Sequence, residues 1–570
     1  MVKLLRIGIG GEVVTGLVRR AQAYIRLHGV TYTLQRCGEK AAERVFGFYN
    51  RAWRQLAATP AELEAQRAQP IDAGLISVVV PVYNTDPVML REMIDSLLAQ
   101  TYGHWEAILF DDCSARADTC AVLKEAAARD ARIRVHRGET NQGISGSSNS
   151  AVELAWGEWI ALMDHDDLLT PDALYVVART ILDKQPDLIY SDEDKVTEDG
   201  RRHTDPHFKP DFCPDNLRSG NYVCHLMVMR KSLLLRAGGF RTAFNGSQDH
   251  DLTLRCVEHT DKVVHIPKVL YHWRTVNSSV SHQNLMKCVE AACAAVQEHM
   301  ERIGWPGVAE TENGNIRLKY DIKGKPSVGV YIFGEDQAAM ESCRTAMQDD
   351  AWTDKVIHTV FIGPEGRYAA MNRAAEGAKE DVLLMMEASV TPLSAGLITE
   401  MLMYAQRDDV GAVTPKLIDR KRRVTHAGFA VGMQGGALCR QPGAPVHIGG
   451  WHLMLQKSHN VAAVSAACLM IRRDHFVPFD EGFRGGLGAA DWSLVLAKKG
   501  MRHVLTPYAL GCCENKAWLL LGKKRDEGDA KRFAAHWKDV ADPCFSGMFA
   551  PDSGNYRLRS NYDYLHEQVR

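Results

Sequence analysis

Three carboxylates fall within four residues at the end of the apolar run Trp159-Ile-Ala-Leu-Met163: Asp164, Asp166 and Asp167, with His165 between the first two. Like charges held this close raise one another's pKa, so such a cluster is costly unless a cation neutralises it. Hard oxygen ligands at the mouth of a buried strand suit Mg2+ or Mn2+, and either ion can in turn hold a diphosphate. The same residues also suit a plainer role, a solvated acidic turn before the helix announced by Thr170-Pro171-Asp172.

The elements around these acids must bring them somewhere. Ile76-Ser-Val-Val-Val80, bounded by Pro81, reads as a buried parallel strand. A helical stretch from Met89 to Gln100 follows, then Trp105–Phe110 as a second strand ending in the acid pair Asp111-Asp112. A helix, the strand Ile133–His136 and the loop Asn141–Asn149 continue the β/α series. Such alternation predicts an open, mostly parallel sheet with helices on both faces. Ligands bind at the carboxyl ends of the strands in sheets of this kind. Asp111, Asp112, Asp164, Asp166 and Asp167 all stand at predicted strand ends, so they should converge on one crevice.

The chain of 570 residues, 46% apolar and 24% charged, is too long for one core and has ordinary globular composition. Its net charge of −2 provides no basic field for nucleic acid. No apolar run reaches the roughly 20 residues of a membrane span, and the N-terminus lacks the apolar core of a secretory signal. Fourteen scattered cysteines without a Cys-x-x-Cys pair suit reduced thiols in the cytoplasm.

Three parts separate by pattern. Residues 1–70 hold a helical segment and linker, with Val13, Leu17, Val18, Tyr24, Ile25 and Leu27 at helical spacing and Arg19, Arg20 and Arg26 interleaved. That face packs on a neighbouring domain or lies on an anionic membrane surface. Residues 71–325 carry the first β/α series, and residues 326–570 a second that starts near Ser327–Phe333. Neither a Gly-x-x-x-x-Gly-Lys-Ser/Thr loop nor a Gly-x-Gly-x-x-Gly after the first strand is present, which disfavours a phosphoryl transferase and a dinucleotide oxidoreductase.

Seven ordered segments carry a resemblance: Pro81-Val-Tyr-Asn84, Phe110-Asp-Asp-Cys-Ser114, Asn141-Gln-Gly-Ile-Ser145, Met163-Asp-His-Asp-Asp-Leu168, Tyr190-Ser-Asp-Glu-Asp-Lys195, Gly246-Ser-Gln-Asp-His-Asp-Leu252 and Leu270-Tyr-His-Trp-Arg274. Through them, residues of about 74 to 325 resemble a family 2 glycosyltransferase of the GT-A fold, of the bacterial type tied to O-antigen and other surface polysaccharides. The resemblance implies that Pro81, Tyr83, Asp111, Asp112, Asn141, Gly143, Asn149, Asp164 and Arg274 line the nucleotide-sugar pocket. It implies a divalent metal, Mn2+ or Mg2+, on Asp164, Asp166 and His272, with Asp249 as the catalytic base. Asp192, Glu193 and Trp273 fall on the acceptor side. Helix capping is the plainer role for Asp111, Asp112 and Asp251, and ordinary packing for Trp273.

Residues of about 326 to 570 are similar to the second, degenerate GT-A-like domain of tandem members. Leu384-Met-Met-Glu387-Ala-Ser-Val stands where the metal-binding acids are expected, and Val360-Phe-Ile-Gly-Pro-Glu365 where the acidic pair is. Asp491 is alone near the base position, and Cys512-Cys513 replaces the late histidine. The expectation is an inverting, metal-dependent transferase in the first half, acting on a nucleotide-sugar donor and a glycan or lipid-linked glycan acceptor. Its expected location is the cytoplasm or the inner face of the membrane. A carbohydrate-binding scaffold with lapsed activity is the alternative. So is a metal-independent second half using Asp491, with Lys416 or Arg422 on the diphosphate.

Overall fold

The structure is a computed structural model that describes residues 48–276, 285–433, 436–516, 518–520 and 526–558, with scattered positions between 22 and 41. Most of the basic N-terminal segment therefore lies outside the described residues, and so does its membrane-facing reading. Among the described residues no helix is long and apolar enough to cross a membrane.

Helix α1 (Phe48–Leu56) precedes a nine-stranded sheet. Its strands are β1 (Ile76–Val82), β2 (Trp105–Asp111), β3 (Ile133–Arg137), β4 (Trp159–Leu162), β5 (Leu168–Leu169), β6 (Leu188–Val196), β7 (His203–His207), β8 (Met227–Arg230) and β9 (Val263–Arg274). Their order is β3-β2-β1-β4-β8-β6-β9-β5, with β7 paired to β6. β1 and β2 are buried along their whole length, as expected of strands covered on both faces. The covering helices are specified locally. In Pro87–Leu98, Asp86 accepts from the Val88 and Met89 amides, Pro87 opens the first turn, and Leu90, Met93, Ile94 and Leu97 form the buried stripe.

The β3-β2-β1-β4 side is parallel, as the sequence predicts. The rest is mixed: β8 runs antiparallel to both β4 and β6, and β9 returns parallel to β6. The chain steps outward from β1 to β3 and then comes back to β4 on the other flank of β1. That reversal opens a crevice at the carboxyl ends of β1 and β4.

A hairpin, β10 (Gly307–Glu312) and β11 (Asn315–Tyr320), leads to a second nine-stranded sheet. Its strands are β12 (Val328–Gly334), β13 (Lys355–Phe361), β14 (Val382–Glu387), β15 (Thr391–Pro392), β16 (Val410–Ile418), β17 (Val424–His426), β20 (His459–Val461), β21 (Cys468–Arg472) and β22 (Arg502–Cys512). β18 (Phe429–Met433) and β19 (Gly436–Cys439) form a separate two-stranded sheet. The main order, β13-β12-β14-β21-β16-β22-β15, reproduces β2-β1-β4-β8-β6-β9-β5 strand for strand, with the same parallel and antiparallel senses. The second half is therefore a structural repeat of the first, without a counterpart of β3 among the described residues.

The halves share a core, in which Leu217 and Tyr222 join Tyr404 and Val504 in one buried cluster. Polar groups lock the seam. Asp215, fully buried, accepts from Arg407 at 2.5 and 3.2 Å and from Asn460 Nδ2 at 2.8 Å. Burial alone would raise this carboxyl, but the Arg407 and Arg218 charges hold it well below the usual range. A depressed carboxyl adds stability above its unfolded pKa and loses it as pH falls through the folded value. Arg407→Ala, which strands the buried Asp215 charge, should lower the unfolding free energy by about 3–5 kcal/mol in urea titrations. Asp215→Asn should flatten the loss of stability below about pH 4. Unchanged urea midpoints for both would show that the seam does not depend on this pair.

Candidate active site

Strand register brings the acids together. β8 is antiparallel to β4 and pairs Met227 with Leu162. Two residues further along each strand, Asp164 faces His225. The His225 Nε2 lies 3.8 Å from Asp164 Oδ2, and its ring stacks on Tyr271 with centroids 4.6 Å apart. Burial would lower the His225 pKa, but the surrounding carboxylates, Asp164 foremost, hold it above its ordinary value. Sequence reasoning missed this histidine because it looked for acids at the carboxyl ends of parallel strands. The signal was a histidine just before the short apolar run Leu226–Met229, since the start of an antiparallel strand reaches the same crevice.

The three acids divide the work. The Asp164 side chain keeps 44% of its surface open and that of Asp166 23%, whereas Asp167 is sealed. Asp167 accepts from the Tyr271 hydroxyl at 2.6 Å and from the Arg274 amide at 2.7 Å. Burial, with Asp166 and Asp164 beside it, pushes its pKa well up. Asp167 thus braces the loop, and Asp164 and Asp166 stay open to a ligand. Asp164, Asp167 and His225 also have donor atoms within 4.8 Å of one another. Two accessible carboxylates and an imidazole at one crevice mouth fit a divalent cation.

His272 is not part of this group. The β6–β9 ladder pairs Glu193 with Tyr271 and Asp194 with His272. Successive strand residues face opposite sides, so Tyr271 looks into the crevice and His272 away from it. There its Nδ1 meets Asp194 Oδ1 at 2.6 Å. Strand parity thus sets His272 apart from Asp164, and the histidine beside Asp164 is His225. Arg274 is committed elsewhere too. Its guanidinium donates to the carbonyls of Asp166 and Glu198, both at 2.7 Å, and pairs with Glu92 at 2.8 Å. It braces the acid loop rather than offering a fork to a diphosphate.

On the other flank, Asp111 accepts from the Ser114 amide at 2.9 Å and pairs with Arg137. Asp112 accepts from the Gln142 and Gly143 amides at 2.7 and 2.9 Å, anchoring the start of helix Gly143–Leu154. Gly143 takes φ +70°, and Asn141 Nδ2 donates to the Asp112 carbonyl at 3.2 Å. These contacts order the loop over β2 and leave the exposed Tyr83, just after the buried Pro81, as the open aromatic face beside it. Asn149 faces a structural task instead: its amide bonds both ways with the Phe240 main chain, at 2.8 Å each.

Asp249 is the second residue of helix Gln248–Cys256. Its Oδ2 accepts from Asn221 Nδ2 at 2.7 Å and lies 4.0 Å from the Sγ of Cys224, the residue before His225. The helix N-terminus favours a carboxylate there. Asp251 instead pairs with Arg241 and Arg255. Glu193 bonds Lys209 Nζ, His207 Nδ1 and the His225 amide, at 3.3, 3.3 and 3.0 Å. Burial would raise its pKa, but Lys209 and His207 pull it well down. Asp192 accepts from the Lys209 amide and from His265, behind the crevice. Trp273 is half-buried, its ring 5.8 Å from that of His225 and under the Lys195 ammonium at 5.2 Å.

The repeat shows what the second half lacks. β12 aligns with β1, and the β12–β14 pairing then sets Glu387 where Asp164 stands and Ser389 where Asp166 does. Phe361 replaces Asp111, and Cys512 replaces His272. Asp491 is buried, with one oxygen accepting from His536 Nδ1 and Trp537 Nε1 at 2.7 Å each.

Residues 77–237 match the family model described as glycosyl transferase family 2. The chain therefore carries a family 2 glycosyltransferase domain, on a GT-A-like mixed sheet flanked by helices. It is 36% identical, over 85% of its length and 59% of the relative's, to the uncharacterized protein y4gI of Sinorhizobium fredii. It is 31% identical, over 76% of its length and 36% of the relative's, to the O-antigen biosynthesis protein RfbC of Myxococcus xanthus. The chain thus spans between about a third and three-fifths of these relatives. A solved structure, S. aureus TarS 1–349, covers 40% of this chain and 72% of its own at 19% identity and TM-score 0.31.

Manganese binding tests the division among these residues. Asp164→Asn and Asp166→Asn should each weaken Mn2+ binding, read by electron paramagnetic resonance, by on the order of tenfold or more. Loss of the crevice ion in His272→Ala, with His225→Ala unaffected, would overturn the placement of the two histidines.

Proposed function

We propose that the first half is an inverting, metal-dependent glycosyltransferase that moves a sugar from a nucleotide-sugar donor to a hydroxyl of a bacterial surface glycan. What supports this reading is that, in a family 2 domain, Asp164 and Asp166 stand open at the end of β4, with His225 3.8 Å from Asp164 and Asp249 4.0 Å from the neighbouring Cys224. A divalent cation held by Asp164 and Asp166, when bound, supplies Lewis-acid charge to the departing diphosphate.

The chain's own residues do the rest. Tyr83 and the loop ordered by Asp111, Asp112, Asn141 and Gly143 receive the nucleotide. Asp249, oriented by Asn221, takes the proton of the acceptor hydroxyl on its free oxygen. That hydroxyl attacks the anomeric carbon opposite the diphosphate, and one such displacement inverts the centre. Glu193, Lys209 and Trp273 shape the acceptor side. The name of the Myxococcus relative supports a surface-polysaccharide acceptor, free or lipid-linked. A lipid-linked acceptor would place the work at the cytoplasmic face of the membrane. The second half, with Ser389 and Phe361 in place of acids and Asp491 bound by two donors, is read as an acceptor grip or a cover for the first half.

Release of nucleotide from a panel of nucleotide sugars, with Mn2+ or Mg2+ and a surface-glycan extract, tests this directly. Asp166→Ala and Asp249→Asn should each lower turnover by about 100-fold or more, and Asp491→Asn should leave it within about twofold. Loss of turnover only in Asp491→Asn would move catalysis to the second half, and no turnover with any donor would favour a binding protein.

A further inference from the structure

Behind the crevice, on the opposite face of the β6–β9 ladder, a second group of ligand-type side chains comes together. Asp194 (β6), His203 (β7) and His272 (β9) come from three adjacent strands, and a donor atom of each lies within 4.8 Å of the other two. His203 Nδ1 is 2.9 Å from Asp194 Oδ2, and His272 Nδ1 is 2.6 Å from Oδ1. Asp194 is fully buried, His272 is 6% exposed, and the His203 side chain keeps 14% of its surface open.

Helix α1 closes over the group. The Tyr49 hydroxyl donates to Asp194 Oδ2 at 2.9 Å. The Trp53 ring stacks on His203 at 4.6 Å and meets His272 edge-on at 4.7 Å. The two imidazoles stand at 74° to each other, centroids 4.7 Å apart, so their ring nitrogens approach Asp194 from different directions. A buried carboxylate flanked by two imidazoles, bonded from behind by a tyrosine, has the composition of a three-residue metal site with its outer-shell partner.

We propose that Asp194, His203 and His272 form a second metal site, separate from the crevice, that binds a borderline transition ion of the Zn2+ or Co2+ class and fastens helix α1 to the sheet. The donor set decides the class of ion. Two neutral imidazoles and one carboxylate suit Zn2+, Co2+ or Ni2+, whereas Mg2+ prefers oxygen donors. Ligand atoms around a tetrahedral zinc at about 2.0–2.1 Å sit a little over 3 Å apart, so the hydrogen-bonded trio needs only a small opening to accept the ion. The open edge of His203 leaves room for a water in the fourth position. The crevice acids cannot reach this ion, because strand alternation turns Glu193 and Tyr271 to one side and Asp194 and His272 to the other.

The test uses the full chain stripped with a chelator and titrated with Co2+, followed by its visible absorption. The expected result is one equivalent with a tetrahedral-type band, displaced by Zn2+ and insensitive to Asp166→Ala. His203→Gln and His272→Gln should abolish the band, and Tyr49→Phe should weaken Co2+ binding by on the order of tenfold. Zn2+ should raise the melting temperature of the native chain and leave that of His203→Gln unchanged. Circular dichroism of each variant separates loss of the site from loss of the fold, and His203→Ala, at the most exposed of the three ligands, provides a second variant. A band absent from the native chain, or retained in a folded His203→Gln or His203→Ala, would overturn the proposal and leave a hydrogen-bonded network. So would a band lost in Asp166→Ala, which would assign the ion to the crevice.

Discussion

The crevice depends on one buried carboxylate. Asp167 receives the Tyr271 hydroxyl and the Arg274 amide, and so ties the end of β9 to the loop that follows β4. Those segments are distant in sequence, and the tie helps to hold Asp164 and Asp166 at the crevice mouth. The cost is electrostatic. A sealed carboxylate beside two others is raised by desolvation first and by its neighbours next. Positive charge at the mouth relieves the repulsion between the acids, and the chain supplies part of it in His225, beside Asp164. Arg274 steadies the same loop from its main-chain side through the Asp166 carbonyl. The loop is thus rigid where it is buried and open only at the two acids that can meet a ligand.

The repeat provides an internal control on this reading. Both halves build the same sheet with the same strand senses, so the fold does not require the acids. Where the first half has Asp164, the second has Glu387, already bonded by Asn515 Nδ2 at 2.5 Å and Ser389 Oγ at 2.9 Å. Its charge is satisfied within the protein, and no second carboxylate stands beside it at Ser389. A lone, internally paired acid makes no demand for a cation. The contrast separates what the architecture needs, which is buried strands and their order, from what the chemistry needs, which is an acid cluster left incompletely paired.

Much of the fold was legible in the sequence. The β-branched run at Ile76–Val80, the strands Trp105–Phe110 and Trp159–Met163, and the second β/α series after residue 326 place the two sheets correctly. What was not legible was the face each residue takes on the far side of the sheet. The pairing of β6 with β9 contains two irregularities, between Ser191 and Asp192 and between Asp192 and Glu193, and each one resets the register of the facing side chains. His272 therefore could not be assigned to a side from its spacing alone. His225 stayed hidden because its strand runs against the others, and Arg274 because a basic residue near predicted acids reads as a diphosphate contact until its carbonyl partners are seen.

The same alternation explains why adjacent residues of one motif serve different ends. In Ser191-Asp-Glu-Asp194, Glu193 turns to the crevice, where Lys209 and His207 hold it charged. Asp194 turns to the helix-covered face, where two imidazoles and Tyr49 surround it. Asp192 bonds His265 behind both. A substitution at any of these acids would therefore act on a different structure: the acceptor side of the crevice, the seat of α1, or the base of the sheet. The ladder between β6 and β9 is common to all three, so the docking of the N-terminal helix and the shape of the crevice are set by opposite faces of the same two strands.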